Sequence, residues 1–311
     1  MEQGGRSGSR PLLLIPVLVG VTLISFMLVH AVPGEPARTL LAGAASADQI
    51  PEIRFRYGLD QPLFAQYFIF LKNLLQGDLG YSIIYKAPVL SVLLDRLPAT
   101  LALIILSTAL SFALAVGLAT IAALHAGHFV DRLVRRYATI GLGVPAFWLG
   151  LQLIFLFGMT LQLLPQSGFG GGPIERLRHI ILPTLTIALT MAPTLIGELR
   201  ARLLGELVSD HAAAARAQGL PERRIFLRHA FRNALRPAII RLGRQAGWLL
   251  GSIILVEQAF ALPGLGSLFV GAVLGRDYLV LQALALIFAV VVVAVDFLVD
   301  MLAAPRLLVQ P

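Results

Sequence analysis

The sequence has no cysteine, few charged residues and almost no lysine. A chain without cysteine forms neither disulfide bonds nor thiolate metal sites. Charged residues make up 14% of the 311 residues, where soluble domains carry about 25%. Apolar residues make up 57%. This composition indicates an integral membrane protein.

The motifs of common enzymatic chemistry are also absent. A P-loop needs a lysine followed by serine or threonine, and neither of the two lysines, Lys72 and Lys86, has such a neighbour. No Gly-x-Ser-x-Gly or His-Glu-x-x-His pattern occurs. His125 and His128 lie in a short charged loop, where we expect solvated side chains. We therefore predict no catalytic residue, no metal site and no cofactor bound by this chain.

Long apolar stretches dominate instead, and six of them fit the length of about 20 residues that crosses a bilayer. The apolar core of the first is longer than that of a secretory signal, so we expect an uncleaved anchor. The predicted spans are Pro11–Val29, Leu97–Leu124, Tyr137–Leu164, Ile180–Gly197, Ala238–Ala261 and Tyr278–Val295.

Basic residues are shared unequally between the loops that join these spans. With the N-terminus inside, 16 of the 25 basic residues lie on the inner side, ten of them between Arg200 and Arg244. Six of the nine outer ones fall in the long segment 32–96, where the charge rule weakens. We predict that both termini are cytoplasmic.

One segment outside the spans and two acids within them need separate interpretation. Asp60–Pro62 resembles a helix start and Gly77 a helix end, and apolar residues recur between them at helical spacing, which predicts an amphipathic helix. Glu257 lies near the outer end of span five and Asp296 toward the inner end of span six. Both fit a polar path or gate, and both fit span ends that reach interfacial water.

One hydrophilic stretch, DHAAAARAQGLPERRIFLRHAFRN at 210–233, interrupts the apolar chain. Ser209 or Asp210 can cap a helix start, and alanines are strong helix formers. Gly219 suits the left-handed residue after a helix, and Pro221 the first turn of the next one. We predict a helix of roughly nine residues, a sharp corner, and a second helix that reaches toward Pro237. The nearly bare first helix fits a docking element that enters a groove, with Arg216 as its polar anchor.

The second helix places four arginines at four-residue spacing on one face: Arg224, Arg228, Arg232 and Arg236. Like charges at this spacing destabilise an isolated helix. Something acidic is therefore expected opposite them, either lipid headgroups or carboxylates of another protein. Nucleic acid fits poorly, because no aromatic residues are interleaved for base stacking.

The stretch Asp210–Leu220 resembles the EAA loop of ABC importer permeases, in the form found in the dipeptide, oligopeptide and nickel group. Other segments resemble this group in the same order: 33–36 (PGEP), 57–62 (YGLDQP), 77–80 (GDLG), 97–101 (LPATL), 260–266 (FALPGLG) and 305–306 (PR). The glutamate that names the loop is replaced by Ala213, His211 stands for tyrosine and Gln218 for lysine. The docking contacts are therefore expected to include fewer polar groups.

The resemblance implies an all-α membrane protein with six transmembrane helices and the type I ABC importer permease fold. It implies a docking (coupling) helix that contains Asp210, Ala214, Ala215, Arg216, Ala217, Gly219 and Leu220. The regions are then a cytoplasmic N-terminus 1–10, a first span 11–31, an extracytoplasmic segment 32–96, a permease core 97–306 with the coupling loop 200–237, and a tail 307–311.

The expected partners follow from the same resemblance. They are a second related permease, two cytoplasmic ATPases that bind the ATP and magnesium, an external binding protein and membrane lipid, in a bacterial inner membrane. The substrate is expected to be a dipeptide or oligopeptide, with glutathione or a nickel chelate as alternatives. A proton-coupled carrier that uses Glu257 and Asp296, and a membrane scaffold without transport, remain as competing hypotheses.

Overall fold

A computed structural model describes residues 10–30, 60–82 and 84–303. Contacts divide the chain into two compact units. The first unit comprises Met1–Thr100 and Pro263–Ala294, and the second comprises Leu101–Leu262 and Val295–Pro311. The expected motifs at 33–36 and 57–59 lie outside the described residues, as do 1–9 and 304–311.

The described chain is mostly helical, with one two-stranded hairpin. The helices are α1 Arg10–His30, α2 Leu63–Leu75, α3 Val89–Leu124, α4 Phe129–Gly141, α5 Ala146–Leu153, α6 Pro173–Leu207, α7 Asp210–Ala217, α8 Glu222–Ile225, α9 Phe231–Ala259, α10 Leu265–Leu274 and α11 Tyr278–Ala303. Two π-helical segments, π1 Ile154–Thr160 and π2 Phe226–Ala230, continue α5 and precede α9. The antiparallel strands are β1 Tyr81–Ser82 and β2 Ala87–Pro88.

In the first unit, α2 confirms the helix predicted after Asp60. Pro62 precedes it instead of lying in its first turn, and Gly77 ends it with φ +77°. α2 packs on α1 through polar contacts as well as aromatic ones. The Thr22 and Tyr67 hydroxyls lie 2.8 Å apart, and His30 Nε2 lies 2.9 Å from the side-chain oxygen of Gln66.

The hairpin and α10 form the other part of the first unit. The Ser82 hydroxyl donates to Asp277 Oδ2 over 2.5 Å, and Asp277 Oδ1 accepts from the N–H of Val280 at the start of α11. The buried apolar residues here are Val89, Val92, Leu93, Leu265, Leu268, Ala272, Leu279, Val280, Ala283 and Leu284. The hairpin is thus fixed to the corner between α10 and α11.

Three larger apolar clusters join the long helices of the second unit. The largest joins α5, α6 and the second half of α9 around Leu153, Ile187 and Phe260. A cluster rich in small residues joins α3, α4 and α6, and another joins α3 and α6 to π2 and α9. Small side chains let these helices approach closely, which is common where helices pack within membranes.

The predicted spans agree only in part with these helices. Within the described residues, α3, α6 and the 278–297 part of α11 are long and apolar enough to cross a membrane, and each of two bent helix pairs could count as one more span. The third predicted span, from Tyr137 to about Leu164, is not one straight helix, because α4 and α5–π1 meet at an angle of 112°. Residues 142–145 separate them.

The fifth predicted span is also bent, by 60° between Gln245 and Leu249. The second helix of the hydrophilic stretch does not end near Pro237. Helical structure continues through Pro237 to Ala259. A proline inside a helix removes one backbone hydrogen bond without ending the helix when neighbours satisfy the freed carbonyl.

Candidate docking site around the short alanine helix

The short helix α7 has caps at both ends. Ser209 is its N-cap, and its hydroxyl oxygen accepts from the N–H of Ala212 at 3.3 Å. Asp210 therefore lies in the first turn, where its negative charge is favourable. At the other end the N–H of Leu220 donates to Ala215 O and that of Gly219 to Arg216 O. With Gly219 at φ +76°, this pattern is a Schellman motif.

The alanines of α7 divide into an inner and an outer set. Ala212 and Ala215 are buried against Ile225 of α8 and Leu220 of the corner. Ala213, Ala214 and Ala217 are exposed. Of the predicted docking residues, Ala215 therefore contacts the chain itself, and Leu220 is half-buried in the same cluster. The exposed predicted residues are Asp210, Ala214, Arg216, Ala217 and Gly219.

Arg216 has an intramolecular partner that the sequence pattern did not reveal. Its guanidinium donates to both carboxylate oxygens of Glu222, from Nε at 2.6 Å and from Nη2 at 3.2 Å. Its Nη1 donates to Leu207 O at 2.9 Å. The hydrogen bond from Arg216 holds the pKa of Glu222 below its usual range. Arg216 thus joins the end of α6, α7 and the start of α8 at the surface.

The arginine row, predicted to lie on one helix face, is exposed. Arg224, Arg228, Arg232 and Arg236 all face outward, while Phe226, Ala230, Ala234 and Ala238, two positions further along each time, are buried. In an α-helix a four-residue row drifts by about 40° per step, and the π2 segment, whose turn contains more residues, offsets part of this drift. Within the described chain no carboxylate pairs with any of the four arginines.

The packing of α4 against α6 includes a buried carboxylate in an ion pair that the sequence pattern did not reveal. Arg200 of α6 donates to Asp131 of α4 from Nε at 2.6 Å and from Nη2 at 2.8 Å. Asp131 is 1% exposed and also accepts from the N–H of Gly127 at 2.9 Å. One feature of the sequence indicates such a pair: Asp131 is the only acid near a set of arginines.

A second polar link lies at Pro193 within α6. Pro193 has no N–H, so the carbonyl of Leu189, four residues earlier, lacks its helical donor. The Tyr137 hydroxyl of α4 donates to that oxygen at 2.8 Å. Gly141 lies so close that a Cβ there would be 2.5 Å from Pro193 Cγ. The end of α4 therefore packs closely against α6 around Pro193.

The two acids proposed for a path or gate lie in different environments. Glu257 is fully buried near the end of α9, whereas Asp296 of α11 is exposed. Among the described residues no group of three or more histidine or acidic side chains could hold a metal ion. The polar links around α7 connect this capped helix mechanically to two long helices.

Comparison with known proteins identifies the class of this chain. Residues 115–306 match the family described as binding-protein-dependent transport system inner membrane component. Residues 9–104 match the N-terminal family of such membrane components. The chain belongs to this family and is an inner-membrane permease subunit of a type I, binding-protein-dependent ABC importer.

Individual proteins also match this chain. The chain is 39% identical over 293 residues to the glutathione transport system permease protein GsiC of Escherichia coli K12, covering 94% of both chains. It is 38% identical to the GsiC protein of Salmonella paratyphi A, with the same coverage. A crystal structure of an amino acid ABC transporter with histidines shares the fold, with a TM-score of 0.51, 17% identity, and coverage of 68% of this chain and 92% of that one.

Proposed function

We propose that this chain forms half of a translocation path for glutathione or a closely similar short peptide. The observation that carries the proposal is the 39% identity to glutathione permeases, which extends over 94% of both chains. The other half of the path is a second, related permease, and an external binding protein delivers the substrate. Longer peptides and nickel chelates are the alternatives within the same architecture.

In this proposal the chain crosses the inner membrane six times, with both termini in the cytoplasm. The apolar helices α3, α6 and α11 supply three spans. α1, the pair α4 and α5–π1, and the bent pair that ends at Ala259 supply the others. The excess of basic residues between Arg200 and Arg244 supports this orientation.

The exposed face of α7 is where a cytoplasmic ATPase docks. Small side chains at Ala214 and Ala217 let a groove approach the helix backbone closely. This chain lacks a P-loop, so ATP and magnesium belong to the ATPases. When two ATPases close on ATP, the two docked helices are drawn together and the path opens outward; hydrolysis returns it to the inward-open state.

Cysteine cross-linking tests the docking directly, because the chain contains no cysteine of its own. Ala214→Cys is expected to cross-link to a cysteine placed in the ATPase groove, and ATP is expected to change the yield. Ala215→Cys is the matched control, since this neighbouring side chain is buried inside the chain. Equal yields at the two positions, or none at Ala214, would contradict docking through this face.

Substrate is tested with the reconstituted importer and its binding protein. Labelled glutathione is expected to enter proteoliposomes only with ATP and binding protein present, faster than a dipeptide or a nickel chelate. Faster uptake of either competitor would move the substrate to that class while leaving the docking result unaffected.

The buried Glu257 favours one competing function, a proton-coupled carrier. A carrier would continue to transport when the ATPases are absent and would stop when an uncoupler dissipates the proton gradient. An importer shows the reverse behaviour, so one uptake assay under both conditions separates the two functions.

A further inference from the structure

Helix α4 exposes an unusual mixture of side chains. Its outer face carries three exposed arginines together with large apolar residues, of which Phe129, Leu133 and Ile140 are 66%, 55% and 67% exposed. Exposed apolar side chains of this size are unfavourable in water, and unpaired guanidiniums are unfavourable in hydrocarbon. The boundary between the two is the environment that satisfies both.

Two of the three exposed arginines of α4 have no carboxylate partner among the described residues. Asp131 is the only acid in this helix, and it is buried and bonded to Arg200. Arg135 lies 3.7 Å from the same carboxylate, while Arg132 and Arg136 pair with no residue in the part of the chain that the structure describes. An open cleft of about 370 Å³ lies among these three arginines, Thr139 and Ile140.

The direction of α4 supports a position at the membrane boundary. Its axis is turned by 112° from that of α5–π1. If the apolar α5–π1 crosses the bilayer, α4 lies closer to the membrane plane than to its normal. Beyond Arg136 the sequence has no charged residue before Glu175. The arginine cleft therefore lies where the charge-free surface begins.

We propose that this cleft binds an anionic phospholipid. Arg132 and Arg136 hold the headgroup phosphate, because guanidinium forks match phosphate oxygens. Arg135 contributes charge beside them, and an acyl chain follows Leu133 and Ile140 into the bilayer. The bound lipid would stabilise α4 in its position. The inner face of α4 contacts α6 through the Tyr137 hydroxyl and through the ion pair of Asp131 with Arg200.

Lipid retention by the whole importer complex tests the proposal. The complex is purified from membranes of phosphatidylglycerol and phosphatidylcholine, washed in detergent, and its retained lipid is measured by mass spectrometry. The double variant Arg132→Gln/Arg136→Gln is expected to lower phosphatidylglycerol affinity about five-fold per arginine, or roughly thirty-fold in all. Phosphatidylcholine retention is expected to stay unchanged.

The matched control removes the same charge from the arginine row, as Arg228→Gln/Arg232→Gln, and is expected to retain the lipid. Equal loss in both variants would show a general attraction to basic surface and would overturn the assignment. Full displacement of the lipid by millimolar inorganic phosphate would overturn it too, because the cleft would then be a site for a free anion. Hydrogen exchange over residues 129–141 locates the effect, since protection by phosphatidylglycerol is expected there in the wild type and not in the cleft variant.

Discussion

The short helices α7 and α10 both interrupt a run of long apolar helices, yet they are held in place by different forces. A serine hydroxyl accepts a backbone hydrogen bond at the start of each. The N-cap Ser209 accepts from the N–H of Ala212 in α7, and Ser267 of α10 accepts from the N–H of Gly264. α10 buries Leu265, Leu268 and Ala272 in an apolar cluster. α7 buries only two alanine side chains.

This difference shows how a helix with few buried apolar side chains can still be held in place. Because α7 gains little from apolar burial, its position depends on its two caps and on the hydrogen bonds of Arg216. α10 depends on its own side chains. A variant that removes an apolar side chain should therefore damage α10, whereas variants of polar links and backbone conformation should damage the region of α7.

The largest effect is expected from Asp131→Asn, which leaves Arg200 without its buried partner. Breaking a buried ion pair on one side costs about 3–5 kcal/mol. The measurement is the denaturation midpoint of the purified chain, together with coupled ATP hydrolysis by the complex. Arg202→Gln is the control, because Arg202 and Glu198 form a partly exposed pair, and such pairs contribute about 0–1 kcal/mol. Similar losses in both variants would show that the packing of α4 against α6 does not depend on the ion pair of Asp131 and Arg200.

Leu268→Ala tests the other side of the comparison. Leu268 is fully buried in α10, and removing a buried leucine side chain costs about 2–5 kcal/mol. Leu274→Ala in the same helix is the control, since Leu274 is 80% exposed. The denaturation midpoint should fall in the first variant only. If the two variants behave alike, apolar packing does not fix α10.

Tyr137→Phe removes the donor that satisfies Leu189 O, four residues before Pro193 of α6. The hydrogen bond is partly buried, and losing such a bond costs about 1 kcal/mol, so stability should fall although the ring remains. The matched control is Thr139→Val, because the Thr139 hydroxyl on the exposed face donates only within its own helix. A midpoint unchanged in Tyr137→Phe would mean that water replaces the hydroxyl.

Gly219→Val should act on coupling more than on stability. A side chain at Gly219 meets nothing within 4 Å, so the cost is the left-handed backbone alone, about 1–2 kcal/mol for a residue with Cβ. ATP hydrolysis should become uncoupled from uptake while membrane insertion stays normal. Gly219→Asn is the control, since asparagine tolerates this conformation. The docking hypothesis is falsified if Gly219→Val transports normally.

The smallest effect is expected from pH. The pKa of Glu222 is lowered by its hydrogen bond from Arg216. The stabilisation is therefore fully present above the ordinary carboxyl pKa and is lost as pH falls through the lowered value. The midpoint difference between wild type and Glu222→Gln should be constant at neutral pH and shrink only below the ordinary carboxyl pKa. A difference that already shrinks above that pKa would point to another titrating group.

The sequence predicted the local features of the candidate site well, because short-range rules govern them. The cap at Ser209, the helix of alanines and the left-handed Gly219 each depend on a few consecutive residues. The spacing of Arg224 to Arg236 predicted that these arginines share one face. Sequence could not show that Ala215 faces inward and Ala214 outward, because both are equally small and only the position of Ile225 distinguishes them.

The sequence by itself determined the membrane class, the apolar stretches, and the helix, corner and arginine row between Asp210 and Arg236. Tertiary structure alone decided where the helices bend and which polar groups meet. Asp131 and Arg200 lie 69 residues apart in sequence, and Tyr137 and Leu189 lie 52 apart. Periodicity and capping describe neighbours along the chain, whereas a buried charge or an orphaned carbonyl is satisfied by whichever distant group the packed helices bring to it.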